Sequence, residues 1–386
     1  MTEWIECTLD KLGEIVGGAT PSTKCEDYYG GSIPWITPKD LSSFKGRYIT
    51  SGERNITEKG LASCSAQMMP KDAVLFTSRA PIGYVAIASQ SVCTNQGFKS
   101  IVVNDKADPL FVYYLLKYNK DAIEAMGSGT TFKEVSGKTM RAVKVRIPLD
   151  VSYQKRIAAV LDSLDTKIEN SERINDNLQQ QAAALFSSLY DRSNTEVGFT
   201  DLIQILGGGT PKTGENTYWN GNIAFFTPKD VGTPYTLITE KTISKEGLSH
   251  CNSRLYPVNT VFVTARGTVG KVGMSGVPMA MNQSCYALVG KETHQLLVYF
   301  YTLKAVDRLK HKASGAVFDA ITTRDFESEQ IMKLSDDDAT AFLRVAEPMF
   351  QEVLNNNIEN LRLSTLRDSL LPKLMSGEID VSAVQL

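Results

Sequence analysis

WITPKDL at residues 35–41 returns as FFTPKDV at 225–231, in the same chain and 190 positions later. The recurrence extends in both directions. VGGATP (16–21) matches LGGGTP (206–211), and YYGGSIPWITPKDL (28–41) matches YWNGNIAFFTPKDV (218–231) at the same offset. After a three-residue deletion, EKGLASCSAQMMPKDAVLFTSRAPIGYVAIA (58–88) matches KEGLSHCNSRLYPVNTVFVTARGTVGKVGMS (245–275). NQGFKSIVV (95–103) then matches NQSCYALVG (282–290), and GSGTTF (127–132) matches ASGAVF (313–318). Order and spacing both persist, so the chain is an internal duplication.

Each copy is followed by a segment of a different kind. Ser152 to Tyr190 contains no Gly and no Pro. Its apolar residues Ile157, Leu161, Leu164, Ile168, Leu178, Leu185 and Leu189 step largely by fours and threes, which predicts a helix with a coiled-coil seam. Ser152 is the expected N-cap. Asp337 to Met375 repeats the design with Leu354, Ile358, Leu361 and Leu370, Pro348 marking a first turn or a kink and Gly377 a stop. Within the globular copies, 73–78, 84–88, 98–103 and 143–149 read as strands, and 109–126 and 295–313 as helices. The expected fold is mixed α/β (α+β): globular units at 1–150 and 197–335, helical segments at 151–196 and 336–386. Pairing the long helices antiparallel buries both seams and brings the chain ends together.

Catalytic signatures are missing. GSGTTFKEVSGKT (127–139) approaches a phosphate-binding loop, but Phe132 stands where its first glycine is needed. DPLF (108–111) faintly resembles an amino-methyltransferase motif, without the second proline or a glycine-rich cofactor loop. Three scattered histidines and six cysteines without a CxxC pair predict no metal centre, and the thiols read as reduced core residues. No apolar run is long enough for a membrane span and the acidic N-terminus is unlike a signal peptide, so a cytoplasmic protein without cofactor is expected.

The net charge of −2 conceals a segregation. It resolves into +2 over 1–150, −2 over 151–196, +3 over 197–335 and −5 over 336–386. Mildly basic globular units suit a chain that binds DNA weakly alone and needs a partner to complete the grip.

Taken in order, the GG-x-TP turn, the TPKD turn, FTSRAPIG (76–83) with VTARGTVG (263–270), the NQ pairs, and the IPL…QKRIAAVLDSLDTKI segment (147–168) resemble the specificity subunit of type I restriction–modification enzymes. LRDSLLPKLMSGEI (366–379) is similar to that family's C-terminal ending. The resemblance implies two target recognition domains, each reading one half of a split double-stranded DNA site. It implies helical spacers between them, two methyltransferase (modification) subunits docked on the frame, restriction (helicase–nuclease) subunits in the larger complex, and no chemistry in this chain. The second helical region departs from the pattern: it opens as LSDDDATAFLRVAEPMF (334–350), without IPL…QKRI. The rival reading is a coiled-coil scaffold or adaptor that binds only proteins.

Candidate DNA contacts fall into two groups. Lys39, Arg79, Lys229 and Arg266 recur in both copies and suit phosphate contact or internal ion pairs. Asp40 and Asp230 should cap locally, and the Asn95-Gln96 and Asn282-Gln283 pairs fit turns that satisfy backbone better than they fit adenine readers. Where the copies differ, Lys45 and Arg47 stand against Thr233 and Tyr235, and Thr130, Thr131 and Lys133 against Ala316, Val317 and Asp319. Lys271 completes the set.

Overall fold

The computed structural model describes residues 2–129, 133–312 and 320–385. Thr130 and Thr131, with their counterparts Ala316, Val317 and Asp319, lie outside the described residues. The chain forms two compact units: residues 1–169 with 362–386, and residues 170–361.

In the first unit a five-stranded sheet runs in the order Gly13–Gly17, Lys99–Val103, Val74–Ser78, Ile82–Ala88, Tyr48–Ile49. A three-stranded sheet has Tyr29–Ile36 between Arg54–Ile56 and Cys93–Thr94. Trp4–Thr8 pairs antiparallel with Lys144–Pro148. The second unit repeats this order: Ile203–Gly207, Cys285–Gly290, Val261–Thr264, Val272–Ser275, Tyr235–Thr236 in the larger sheet, and Trp219–Phe226 between Lys241–Ile243 and Met279–Met281 in the smaller. Thr195–Gly198 pairs with Gln330–Lys333. The smaller sheets share a register shift, between Tyr29 and Ile33 and between Trp219 and Ile223. The duplication read from TPKD is therefore a duplication of fold.

The long helices run Val151–Asp191 and Asp336–Ser376. Asp150, not Ser152, caps the first: its carboxylate accepts from Ser152 N at 2.9 Å and its carbonyl from Tyr153 N and Gln154 N. Pro348 lies inside the second helix, which begins after Ser335, whose hydroxyl accepts from Asp338 N at 3.1 Å. The predicted 109–126 helix divides at Asn119, whose side chain turns back to cap the Leu115 carbonyl at 2.8 Å. DPLF is the start of that helix, with Asp108 accepting from Phe111 N at 2.9 Å and Pro109 in the first turn, where its missing N–H costs nothing.

Each unit buries part of both long helices. In the first, Ile157 and Leu161 enter the same apolar core as Phe111, Leu115 and Ile147, with Leu370, Leu374 and Met375 from the other helix packed there. The two helical segments run antiparallel, since Tyr153 Oη donates to Asp380 Oδ1 while Arg367 meets Asp165. Buried Gln154 ties the IPL…QKRI segment together: it donates to the Pro148 and Lys106 carbonyls and accepts from Asp108 N at 3.0 Å. Trp4, Ile5, Ile379 and Val384 line one core, which joins the two ends of the chain in this unit.

In the second unit the helical segments are again antiparallel, with Asn175 bonded to Asn356 and Asn357 and Arg192 paired with Asp338. Leu354 is buried there, and Leu178, Leu185 and Ile358 pack against the core. Its centre is Phe186, stacked on Phe300 at 4.9 Å and edge-on to Phe342 and Tyr301 at 5.5 Å each. The seam is thus only partly a helix–helix contact: much of it packs into the globular units. Leu164, Ile168 and Leu361 are half-buried and belong to none of the apolar cores. Among the described residues no helix is long and apolar enough to cross a membrane.

Phe186→Ala should destabilise the second unit by about 3–5 kcal/mol, the usual result of emptying a fully buried aromatic site; a shift in the denaturant midpoint measures it. Burial pushes the Cys93 and Cys285 thiols up to about 12, with lesser contributions from Cys64 and Asp230 respectively. Neither should react with iodoacetamide at neutral pH until the protein unfolds, as peptide mass mapping would show.

Candidate nucleic-acid interface

Four sequence segments common to both copies converge on one turn in each unit. In the first, Gly18 lies so close to the 94–95 backbone that a Cβ would sit 2.1 Å from the Asn95 carbonyl oxygen. Only glycine permits that approach. Ala19 N donates to the Thr94 carbonyl, and the Thr20 hydroxyl donates to Gln96 Oε1. On the far side, a Cβ on Gly97 would lie 2.8 Å from Cγ of Pro38, and Ser78 N donates to the Gly97 carbonyl at 2.7 Å. The GG-x-TP turn, the TPKD turn and the arginine loop therefore flank Asn95–Gly97.

The second unit rebuilds the arrangement. A Cβ on Gly208 would lie 2.1 Å from the Asn282 carbonyl, Thr210 donates to Gln283 Oε1, Thr268 donates to the Pro228 carbonyl at 3.1 Å, and Arg266 N donates to the Ser284 carbonyl.

TPKD starts a short helix, Pro38–Ser42, in the first unit and is a turn in the second. Asp40 accepts from Thr37 N (2.7 Å), Thr37 Oγ1 (2.6 Å) and Glu53 N (2.8 Å). Asp230 accepts from Thr227 N, Thr227 Oγ1 and Glu240 N in the same way. Both aspartates are fully used within the turn, as expected of a carboxylate that would repel phosphate. Lys39 and Lys229 are exposed, with Nζ 2.7 Å from Glu53 and 3.7 Å from Glu240. Asn95 and Asn282 close their turns by accepting from Gly97 N and Ser284 N, while Gln96 and Gln283 face solvent. The NQ pair thus divides into a structural residue and a presented one, a division the sequence reading did not make.

Arg79 is half-buried, with Nη1 3.6 Å from Glu134, and its backbone bridges Glu134. Arg266 is exposed and its backbone bridges Ala320, which brings no carboxylate to that position. Lys45, Lys133 and Lys271 are exposed.

Two expected surface contacts are inside the protein. Arg47 is 6% exposed, beneath the recognition fold and against the helix. Its Nε is 3.0 Å from Asp162 and its Nη2 3.3 Å from Glu169, and it donates to Thr166. Burial opposes its charge, but Asp162, Glu169 and their neighbours more than compensate, and the guanidinium stays ionised. Asp165 joins this cluster, accepting from Tyr114 Oη at 2.7 Å and Arg367 at 2.6 Å. Burial, and after it the Asp165 carboxylate, push the Tyr114 phenol up, which keeps it a donor. Tyr235 is 8% exposed, edge-on to Phe350 at 6.5 Å, with its hydroxyl on Asn259. Neither side chain can reach a DNA groove from these positions. The repeat alignment shows where the copies differ and not which way a side chain points. Among the described residues no cluster of His, Cys, Asp or Glu is arranged to hold a metal.

The sequence pattern of the type I restriction modification DNA specificity domain matches residues 1–180 and 194–333. The chain belongs to the type I restriction–modification specificity family. Its relatives include the MjaIX specificity subunit of Methanocaldococcus jannaschii, 30% identical over 98% of this chain and 94% of that one. The HindI specificity subunit of Haemophilus influenzae is 24% identical over 73% of this chain and 80% of that one. The fold is shared with the crystal structure of a type I S subunit from M. genitalium, at a TM-score of 0.63 and 16% identity, covering 97% and 96% of the two chains. Specificity subunits are the non-catalytic chains of these systems, and this chain stands with them rather than with scaffold proteins.

Arg47→Ala would leave Asp165 without one of its cations and Asp162 and Glu169 without theirs. Because the latter two are partly hydrated, the expected loss is about 2–4 kcal/mol in the first unit. Thermal unfolding measures it, and the affinity of the folded fraction for DNA should be unchanged.

Proposed function

We propose that the protein is the DNA-recognition subunit of a type I restriction–modification complex and reads a bipartite site. The target recognition domains are 1–150 and 197–335, and 151–196 and 336–386 are the spacers. One observation carries the reading: the same fold occurs twice, each time presenting the same set of loops around one turn, and each time followed by a long helix. Two similar but unequal readers on one chain suit a site made of two unequal halves. Exposed Lys39, Lys229, Arg266 and Lys271 supply phosphate contacts, with Arg79 shared between Glu134 and the backbone of DNA. Lys45, Thr131 and Lys133 contribute where the copies diverge.

The helices act as the ruler. At ~1.5 Å per residue, a helix of 41 residues spans roughly 60 Å, enough to separate two readers by a turn or more of DNA. Methyltransferase subunits dock on the frame and bring the chemistry this chain lacks, and restriction subunits join the larger assembly.

A four-residue insertion in each helix, after Glu169 and after Leu361, adds about one turn, ~6 Å, to the spacer. Sequencing of modified bases in cells expressing the complex should return the same two half-sites with a longer gap. An unchanged gap would reject the ruler.

A further inference from the structure

Gln96 and Gln283 occupy equivalent positions, are exposed, and are held by Thr20 and Thr210 through Oε1. Among the described residues the amide nitrogen at the other end has no protein partner. Three loops surround each glutamine, and every one recurs in both copies. An exposed glutamine on a free surface would sample many rotamers; the threonine hydroxyl removes that freedom and aims the amide donors outward. The adjoining asparagine, whose side chain closes the turn, fixes the backbone beneath.

We propose that Gln96 and Gln283 are DNA-positioning residues, each donating its amide N–H to the sugar–phosphate backbone of its own half-site. This rests on the DNA-recognition reading above and names the residues that seat each unit. The argument for backbone over base is the recurrence itself. Units that read different sequences share only the backbone as a common target, whereas a base reader should differ between copies. The amide is neutral, so it adds an oriented, sequence-independent contact without adding charge, and Lys39 and Lys229 on the neighbouring turn provide the charge.

The test uses the assembled complex with its methyltransferase subunits. A short duplex carrying the modified motif mapped for the unaltered complex is compared with a duplex lacking it. Gln96→Ala and Gln283→Ala should each weaken binding to both duplexes by roughly 2- to 10-fold, the range of one net hydrogen bond. Gln96→Glu should weaken it more, because a carboxylate faces phosphate. Thr20→Val should reproduce part of the loss with Gln96 intact. Melting temperatures should match the unaltered protein, since both side chains are exposed. The mapped motif should not change in any variant. Equal affinities across the alanine variants would overturn the proposal, and so would a motif altered at one base, which would make the glutamine a base reader. If the unaltered complex bound neither duplex, the DNA-recognition reading itself would fall, a result distinct from loss of the glutamine effect alone.

Discussion

Each long helix has an apolar face that water will not tolerate along its length, and burying that face organises the rest of the molecule. Neither helix belongs to one domain. Val151–Asp191 gives its first part to one unit and its second to the other, and Asp336–Ser376 does the same in the opposite sense. The first recognition fold is therefore completed by a helix segment distant in sequence, with Leu374 and Met375 in its core, and the second by the helix segments that flank it, with Phe186 and Phe342. Each unit's core contains side chains from both helices.

The two recognition folds are alike in topology but rest on their helices by different physics. In the first unit an ionic cluster, Arg47 and Arg367 among Asp162, Asp165 and Glu169, is added to the apolar core. In the second, Tyr235 meets Phe350 and the neighbouring Tyr299 in an aromatic cluster. A buried ion pair requires an oriented partner and punishes misplacement, whereas aromatic packing tolerates small shifts. Duplication preserved the sheets while the surfaces beneath them diverged. The loops around Gln96 and Gln283 remained alike, and their atoms are committed to holding one another.

The repeated fold, both long helices and the strands Val74–Ser78, Ile82–Ala88, Lys99–Val103 and Lys144–Pro148 were legible in the sequence, because backbone patterns and turn chemistry are local. The role of Asp40 and Asp230 followed from the repulsion between carboxylate and phosphate. Side-chain direction was not legible. Arg47 precedes the two-residue strand Tyr48–Ile49, too short for alternation to reveal which face is inside. Its partners lie on a helix more than a hundred residues away. Ser152 lost the cap to Asp150 because two polar residues at the same boundary compete and only geometry decides. The sequence groups Gln96 with Asn95 as a turn residue, because its holder, Thr20, belongs to a different motif; the signal available is that the GG-x-TP and NQ pairs keep company in both copies.

Asn175 is 4% exposed and its amide is matched on both sides, donating to Asn357 and accepting from Asn356 at 2.9 Å each. Apolar seams alone are permissive about sliding, since one leucine can replace another. An amide layer inside the seam is less so: a four-residue slide puts Leu361 or Val353 where Asn357 stands and breaks one of the two bonds. The paired helices therefore behave as a notched scale rather than a smooth one. Under the ruler proposed above, a change in helix length keeps this amide layer matched when it arrives in both helices and in whole turns.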